Sequence, residues 1–308
     1  MATVGTPTLD QLRVFLAVVE AGSFAGAARR LHRATSVVSY TIANLETQLG
    51  LVLFDRHGTR KPQLTDAGRM VLAEARAILN GVDNLRARSR SILEGLEAEL
   101  HVVIDVMLPE ERLVDALTSF SERFPTVLLH LYVETLGAVT KLVLDRVATI
   151  GVTGPLEAMD GLERVRVGQV PMIPVAAPGH PLTEASADRP GAGRDHVQLV
   201  LTDRSELTRG REFAVMSSRT WRLGDLGAKH MLLKAGIGWG NMPEPMIRDD
   251  LAQGRLVRLE MPDTIAADYV MDVVYRTDTP PGPAGAWLVE RFRAQAAADW
   301  PVGADPTR

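Results

Sequence analysis

Apolar and polar positions divide the chain into two textures. Up to about residue 95 the apolar residues recur at helical spacing. In "TLDQLRVFLAVVEAG", Leu12, Phe15, Leu16 and Val19 share a face. Thr8 and Gln11 there have the spacing of a capping box, and Gly22 can end the helix. "SFAGAARRLH" gives a second short helix, with Ser23 as N-cap and Phe24, Ala27, Ala28 and Leu31 inward. In "RATSVVSYTIANLE" and the residues after it, Val38, Ile42, Leu45 and Leu49 fall 4, 3 and 4 apart, a third helical stripe. "LVLFDRHGTRKPQLT" alternates, turns at His57-Gly58 and resumes, which predicts a hairpin. A long helix follows from about Asp66 to Glu94, with Thr65 as cap. Its Val71, Ala75, Ile78, Val82, Leu85, Ser89, Ile92 and Leu96 keep a heptad, the pattern of a helix that pairs with another along a narrow seam.

From about Glu97 the texture changes. "LHVVIDVML", "TVLLHLYVE", "ATIGVTG", "VRVGQVPMIPVAA", "HVQLVLTD" and "DYVMDVVYRT" read as strands. Helices are predicted at "PEERLVDALTSFSERFP", "LGAVTKLVLDRV", "GDLGAKHMLLKAG", "MPEPMIRDDLAQG" and "PAGAWLVERFRAQAAA". Such alternation argues for a parallel sheet covered by helices, hence a mixed α/β chain. "GHPLTEASADRPGAGRDH" is a loop by composition.

The third helix raises the functional question. Its outer face carries Thr35, Ser36, Ser39 and Tyr40, hydroxyls without a Lys or Arg. Charge bears on this. The formal net charge is −4, but residues 1–95 hold 12 Lys and Arg against 8 Asp and Glu, and the remainder holds 22 against 30. A basic amino-terminal part joined to an acidic remainder suggests that only the former meets an anionic partner. Two short helices joined by a tight turn form a helix-turn-helix, whose second helix enters the DNA major groove. Hydroxyls can both donate to and accept from base edges there, and Tyr40 can reach a phosphate or a sugar. Arg29, Arg30 and Arg33 before the helix, and Arg56, Arg60 and Lys61 in the hairpin, would serve the flanking phosphates.

"LDQLRVFLAVVEAGSFAGAARRLHRATSVVSYTIANLETQLGLVLFDRHGTRKPQLTDAG" resembles the winged helix-turn-helix of LysR-type transcriptional regulators. The matching features are the Leu-x-x-Phe of the first helix, "GSFAGAARRLH", the core of Ser39, Ile42, Leu45 and Glu46, "LGLVLFDR" and "LTDAG". The heptad helix resembles that family's dimerising linker, and the rest resembles its two-lobed effector domain in the periplasmic-binding-protein style. The resemblance implies a winged helix-turn-helix over 7–65, a linker over 66–95 and a regulatory domain over 96–308. In that last domain, lobe one would take about 96–163 and 267–308, and lobe two about 164–266. It also implies a cytoplasmic, sequence-specific DNA-binding regulator of double-stranded DNA, controlled by a small-molecule effector, and a homodimer or homotetramer. Where the family often has Ser-Gln-Pro, this chain has Ala34-Thr35-Ser36, and Tyr40 replaces a frequent basic residue. The expected consequence is unchanged docking with altered base preference, Thr35 serving as N-cap. Thr35 and Ser39 are expected at bases, with Arg33 and Lys61 at phosphate.

Two lobes that exchange strands bury a ligand at the strand ends. The candidates are Asp105, Val106, Met107, Thr135 and Thr153 in lobe one, and Thr202, Asp203, Arg204, Trp239 and Asn241 in lobe two. The threonines and aspartates among them can instead cap the next helix. The resemblance implies small organic acids held by hydroxyls and helix N-termini; Asp105 would repel an anion at that point, so a neutral, amine-bearing or amphiphilic ligand is open as well, and the resemblance does not decide.

Other chemistry lacks its residues. There are no cysteines, so thiolate metal sites, disulfides and cysteine nucleophiles are excluded. The seven histidines show no metal-ligand spacing in sequence, and no cofactor, metal site or catalytic constellation is expected. "GIGWG" follows a helix, unlike a dinucleotide loop, and reads as the end of that helix and the start of the next strand. The start of the chain lacks a secretory signal pattern. The longest uncharged run, about Val167 to Thr183, holds Pro171, Pro174, Pro178 and Pro181, so no membrane helix is expected. A DNA-binding module fused to an α/β enzyme is the competing reading.

Overall fold

A computed structural model of the chain describes residues 5–55, 62–93, 95–157, 159–184, 189–262 and 268–299. It divides into two compact units, Met1–Arg90 and Ser91–Arg308.

The first unit opens with α1 (Leu9–Ala21), α2 (Phe24–Arg30) and α3 (Thr35–Leu49). The capping box forms as the spacing predicts: the Gln11 amide donates to Thr8 Oγ1, and the Thr8 amide to Gln11 Oε1. Gly22 closes α1 in the left-handed region, and Ser23 caps α2 through the Gly26 amide. Val38, Ile42 and Leu45 are fully buried against Phe15, Val18, Ala27 and Ala28. Each large side chain so buried contributes about 1.5–3 kcal/mol.

Strands β1 (Phe54–Asp55) and β2 (Gln63–Leu64) form the predicted antiparallel hairpin, Phe54 opposite Leu64. Phe54 packs its ring edge-on to Phe15 and Phe24. The Glu46 carboxylate accepts from the amides of Leu53 and Phe54, tying α3 to β1. Helix α4 (Asp66–Leu93) is capped by Thr65, whose Oγ1 accepts from the Gly68 amide. A Cβ on Gly68 would stand 2.2 Å from the Leu53 carbonyl oxygen, which explains a glycine in "LTDAG". Along the heptad of α4 the burial divides. Ala75 is buried and Val71 partly so in the unit's own core, joined by Leu79, which is off the heptad. Ile78, Leu85 and Ile92 are exposed. Leu96 lies beyond the helix and packs in the second unit.

The second unit runs β3 (Glu99–Asp105), α5 (Glu110–Arg123), β4 (Leu128–Glu134), α6 (Gly137–Leu144), β5 (Ile150–Thr153) and β6 (Leu162–Ala176). It continues with β7 (Gln198–Leu201), β8 (Thr220–Leu223), α7 (Leu226–Lys234), β9 (Trp239–Pro243), α8 (Glu244–Ala252), β10 (Val257–Arg258), β11 (Asp268–Arg276) and α9 (Pro283–Asp299). The strand order is β4-β3-β5-β11-β6-β9-β7-β8, with β10 beside β6. The predicted parallel sheet is corrected to a mixed one. β3 pairs in parallel with β4 and β5, and β7 with β8 and β9. β6 and β11 run antiparallel to their neighbours and cross between two lobes.

The proline-rich run marks that crossing. β6 pairs with β11 as far as Pro171 and with β9 from Met172, so the prolines fall where the ladder changes partner. β8 and β10 were not among the predicted strands; they are four and two residues long and carry no apolar alternation. Lobe one centres on Leu100, Val102, Ile104, Phe120, Ile150, Leu288 and Phe292, and lobe two on Val175, Leu199, Leu226, Leu233, Met242 and Ile247. Among the described residues no single helix is long and apolar enough to cross a membrane.

Candidate nucleic-acid interface and ligand cavity

The buried stripe of α3 turns its other face outward. Thr35, Ser36, Ser39 and Tyr40 are all exposed, Tyr40 by 69%, and Val37 stands among them at 46%. Thr35 is not the N-cap. That position is Ala34, which has no side chain able to accept, and α3 starts at Thr35. The amides of Val37 and Val38 turn back to the Ala34 carbonyl, and no side chain caps the helix. The hydroxyl of Thr35 is thereby left outward.

Arg33 is brought to Asp10 of α1, with both guanidinium nitrogens on the carboxylate at 2.7 and 2.8 Å. That contact holds the Asp10 carboxyl below its usual range. Arg30 pairs with Glu20 at 2.5 Å. These arginines brace the turn onto α1, which spacing alone did not reveal. Arg56, Arg60 and Lys61 lie outside the described residues.

In the second unit a cavity of about 330 Å³ opens between the lobes. Lobe one supplies Met107, Leu136 and Pro155. Lobe two supplies Leu199, Phe213, Lys229 and Asn241, and the crossing strands add Met172 and Tyr269. Of the sequence candidates, Met107 and Asn241 line it. Val106 lies in a separate cavity of about 420 Å³ beside Glu110, Glu111 and Arg248.

The remaining candidates are structural or lie elsewhere. Asp105 is fully buried and is not among the residues that line the cavity. It accepts from the amides of Met107 and Leu136 at 2.9 Å each, and from the Tyr269 hydroxyl at 2.7 Å. Burial nevertheless outweighs these bonds and pushes its carboxyl up to about 6. A Cβ on Gly154 would stand 2.0 Å from the Tyr269 oxygen, so that hydroxyl fits only beside a glycine. Thr153 is buried 3.3 Å from Thr140. Thr135 donates to the Thr202 carbonyl across the lobes at 3.4 Å. Asp203 accepts from the Ala138 amide at 3.1 Å and from Ser205 and Thr208. Arg204 is exposed. Trp239 is buried and donates to the Gly193 carbonyl. Thr135, Thr202 and Asp203 thus join the lobes, while Thr153 and Trp239 serve their own cores.

The residue missed by sequence reasoning is Lys229. It is only 3% exposed, yet it lines the cavity. Its ammonium donates to the Asn241 carbonyl at 2.6 Å and pairs with no carboxylate among the described residues. Burial lowers it from 10.5 to about 8. A signal existed: Leu226, Lys229 and Leu233 share the buried stripe of α7, where a lysine is out of place. Backbone strain gathers here too. Leu136 and Ala214, both lining the cavity, have φ of 46° and 52°. Gln198 holds the segment of Ala214 by donating to its carbonyl and accepting from the amides of Met216 and Ser217.

Comparison with known proteins agrees with both halves. Residues 9–69 match the bacterial regulatory helix-turn-helix of the lysR family, and residues 93–297 match the LysR substrate binding domain. The chain is 27% identical to the HTH-type transcriptional regulator AceR of Acinetobacter baumannii, over 92% of this chain and 96% of that one. It is 29% identical to the probable HTH-type transcriptional regulator YhaJ of Escherichia coli, over 95% and 98%. A solved structure of a Corynebacterium glutamicum OxyR C206 mutant shares the fold with a TM-score of 0.52 at 22% identity, covering 96% of each chain. The chain belongs to the LysR family of DNA-binding transcriptional regulators.

Proposed function

We propose that this regulator reads DNA through the hydroxyl face of α3 and is controlled by a small anion bound at Lys229. Thr35 and Ser39 meet base edges, Ser36 and Tyr40 flank them, and Arg56, Arg60 and Lys61 of the hairpin hold phosphates. Arg33 positions α3 through Asp10. The functional divisions are 7–65 for DNA, 66–95 for pairing and 96–308 for the ligand. The exposed Ile78, Leu85 and Ile92 support pairing of α4 with a second copy. The chain works in the cytoplasm and senses its ligand without converting it.

The observation that carries the ligand reading is the buried ammonium of Lys229 in a cavity lined mainly by apolar side chains; the two carboxylates on its wall are engaged elsewhere, Glu212 with Arg222 and Asp268 with Gln169. An ammonium removed from water is costly unless a counter-ion meets it. A carboxylate on a compact apolar body supplies that partner and fills the space beside Met107, Leu136 and Phe213. Of the alternatives left open by the sequence, this reading favours the acid, because Asp105 is engaged in its own hydrogen bonds. A ligand that touches Met107 and Leu136 on one lobe and Lys229 on the other favours one lobe arrangement, and so biases bound DNA.

The test is calorimetric titration of the full chain with a panel of small carboxylates and their neutral amides. Saturable binding of an acid, lost in its amide and in Lys229→Met, is expected. Binding that survives Lys229→Met contradicts the assignment.

A further inference from the structure

A second polar cluster lies outside the cavity, on lobe one. β3 and β4 run in parallel register with His101 opposite His130. Glu99, two residues before His101, shares its face, as Tyr132 shares that of His130. The two imidazoles stack with centroids 4.3 Å apart and planes 10° apart. One carboxylate spans both: Glu99 Oε1 is 3.7 Å from His101 Nε2, and Oε2 is 3.4 Å from His130 Nε2. One ligand atom from each of the three residues lies within 4.8 Å of the others.

The hydrogen bonding orients these atoms toward a cation. His101 Nδ1 is 3.3 Å from the Tyr132 hydroxyl. When that nitrogen carries the proton and donates, Nε2 presents its lone pair to the Glu99 oxygen, so two acceptors face one another. A divalent ion between the three side chains resolves this arrangement, and the Tyr132 contact is the outer bond that commonly fixes a ligating imidazole.

We propose that Glu99, His101 and His130 form a binding site for a borderline divalent cation of the zinc class. Two imidazoles and a carboxylate suit Zn²⁺, Co²⁺, Ni²⁺ or Cu²⁺, whereas Mg²⁺ and Ca²⁺ prefer oxygen donors throughout. Bonds of about 2.0–2.1 Å in a tetrahedron place ligand atoms roughly 3.3 Å apart; here each imidazole lies 3.4 or 3.7 Å from one of the two Glu99 oxygens, within reach of that spacing by small side-chain rotations. Glu99 and His130 are exposed, so water completes the coordination. Occupation would staple β3 to β4, the outermost strand on that side of the sheet. Asp105 lies at the other end of β3, six residues away, or about 20 Å. The site is therefore separate from the cavity and does not depend on its assignment.

The test uses the untagged full-length chain, with Zn²⁺ titrated by calorimetry and bound metal counted after equilibrium dialysis. One ion per chain with micromolar affinity is expected. His101→Ala and His130→Gln should each weaken binding at least about tenfold, while His196→Gln, whose ring meets that of His180 elsewhere in the fold, leaves it unchanged. Circular dichroism establishes that each variant is folded. Absence of saturable binding, or equal binding by the His101→Ala/His130→Gln double variant, overturns the proposal.

Discussion

Lys229 shows what one residue costs and does. Its fall from 10.5 to about 8, at about 1.4 kcal/mol for each tenfold change in proton affinity, is a penalty on the order of 3 kcal/mol. The folded state binds fewer protons than the unfolded chain between those values. Stability should therefore rise as pH climbs from about 8 to 10.5, with the full penalty present below 8. Lys229→Met should unfold later at pH 7 and lose this pH-dependent rise; denaturant titrations across that window check it. Asp105 carries the opposite sign. Raised to about 6, it keeps its proton longer when folded, so its contribution falls as pH rises from about 4 to 6. Tyr269→Phe removes a donor from that buried carboxylate and should cost about 1–3 kcal/mol in thermal unfolding.

The role of Asp105 was not legible locally. A strand-end aspartate looks the same whether it faces a ligand or caps its neighbours, and Asp105 is decided by Tyr269, 164 positions away. Lys229 was legible in principle, because its place in the apolar stripe of α7 was already written.

At the scale of elements, periodicity carried furthest where burial is one-sided. The α3 stripe, both early caps and the hairpin follow from spacing and composition. The cap of α3 did not, because Ala34 offers nothing to recognise. Ala34→Ser supplies the missing acceptor and should stabilise the first unit by about 0.5–2 kcal/mol, read as a raised thermal midpoint. The heptad of α4 was legible as a pattern, but not its division into a home-packed start and an exposed remainder. Leu85, 65% exposed, belongs to the latter. Leu85→Glu should shift sedimentation toward smaller species with helicity unchanged. An unchanged sedimentation coefficient places the pairing seam elsewhere. His101 and His130, 29 positions apart in sequence, became neighbours only through parallel strand register.

Across the whole molecule, the charge difference between the two parts of the sequence matches their division of labour. The basic part matches the DNA-binding family model, and the acidic part holds the cavity. In the second unit β6 and β11 cross between the lobes, which also meet through Thr135, Ala138 and Asp203 and through Met107, packed into the core of lobe two. The central claim is that an anion at Lys229 sets how α3 is used on DNA. The direct measurement is a footprint on the region upstream of the gene, with and without the carboxylate that binds, in wild type and Lys229→Met. A footprint that the acid alters in wild type only is the predicted result. The same alteration in Lys229→Met, or none in wild type at saturating acid, contradicts the claim.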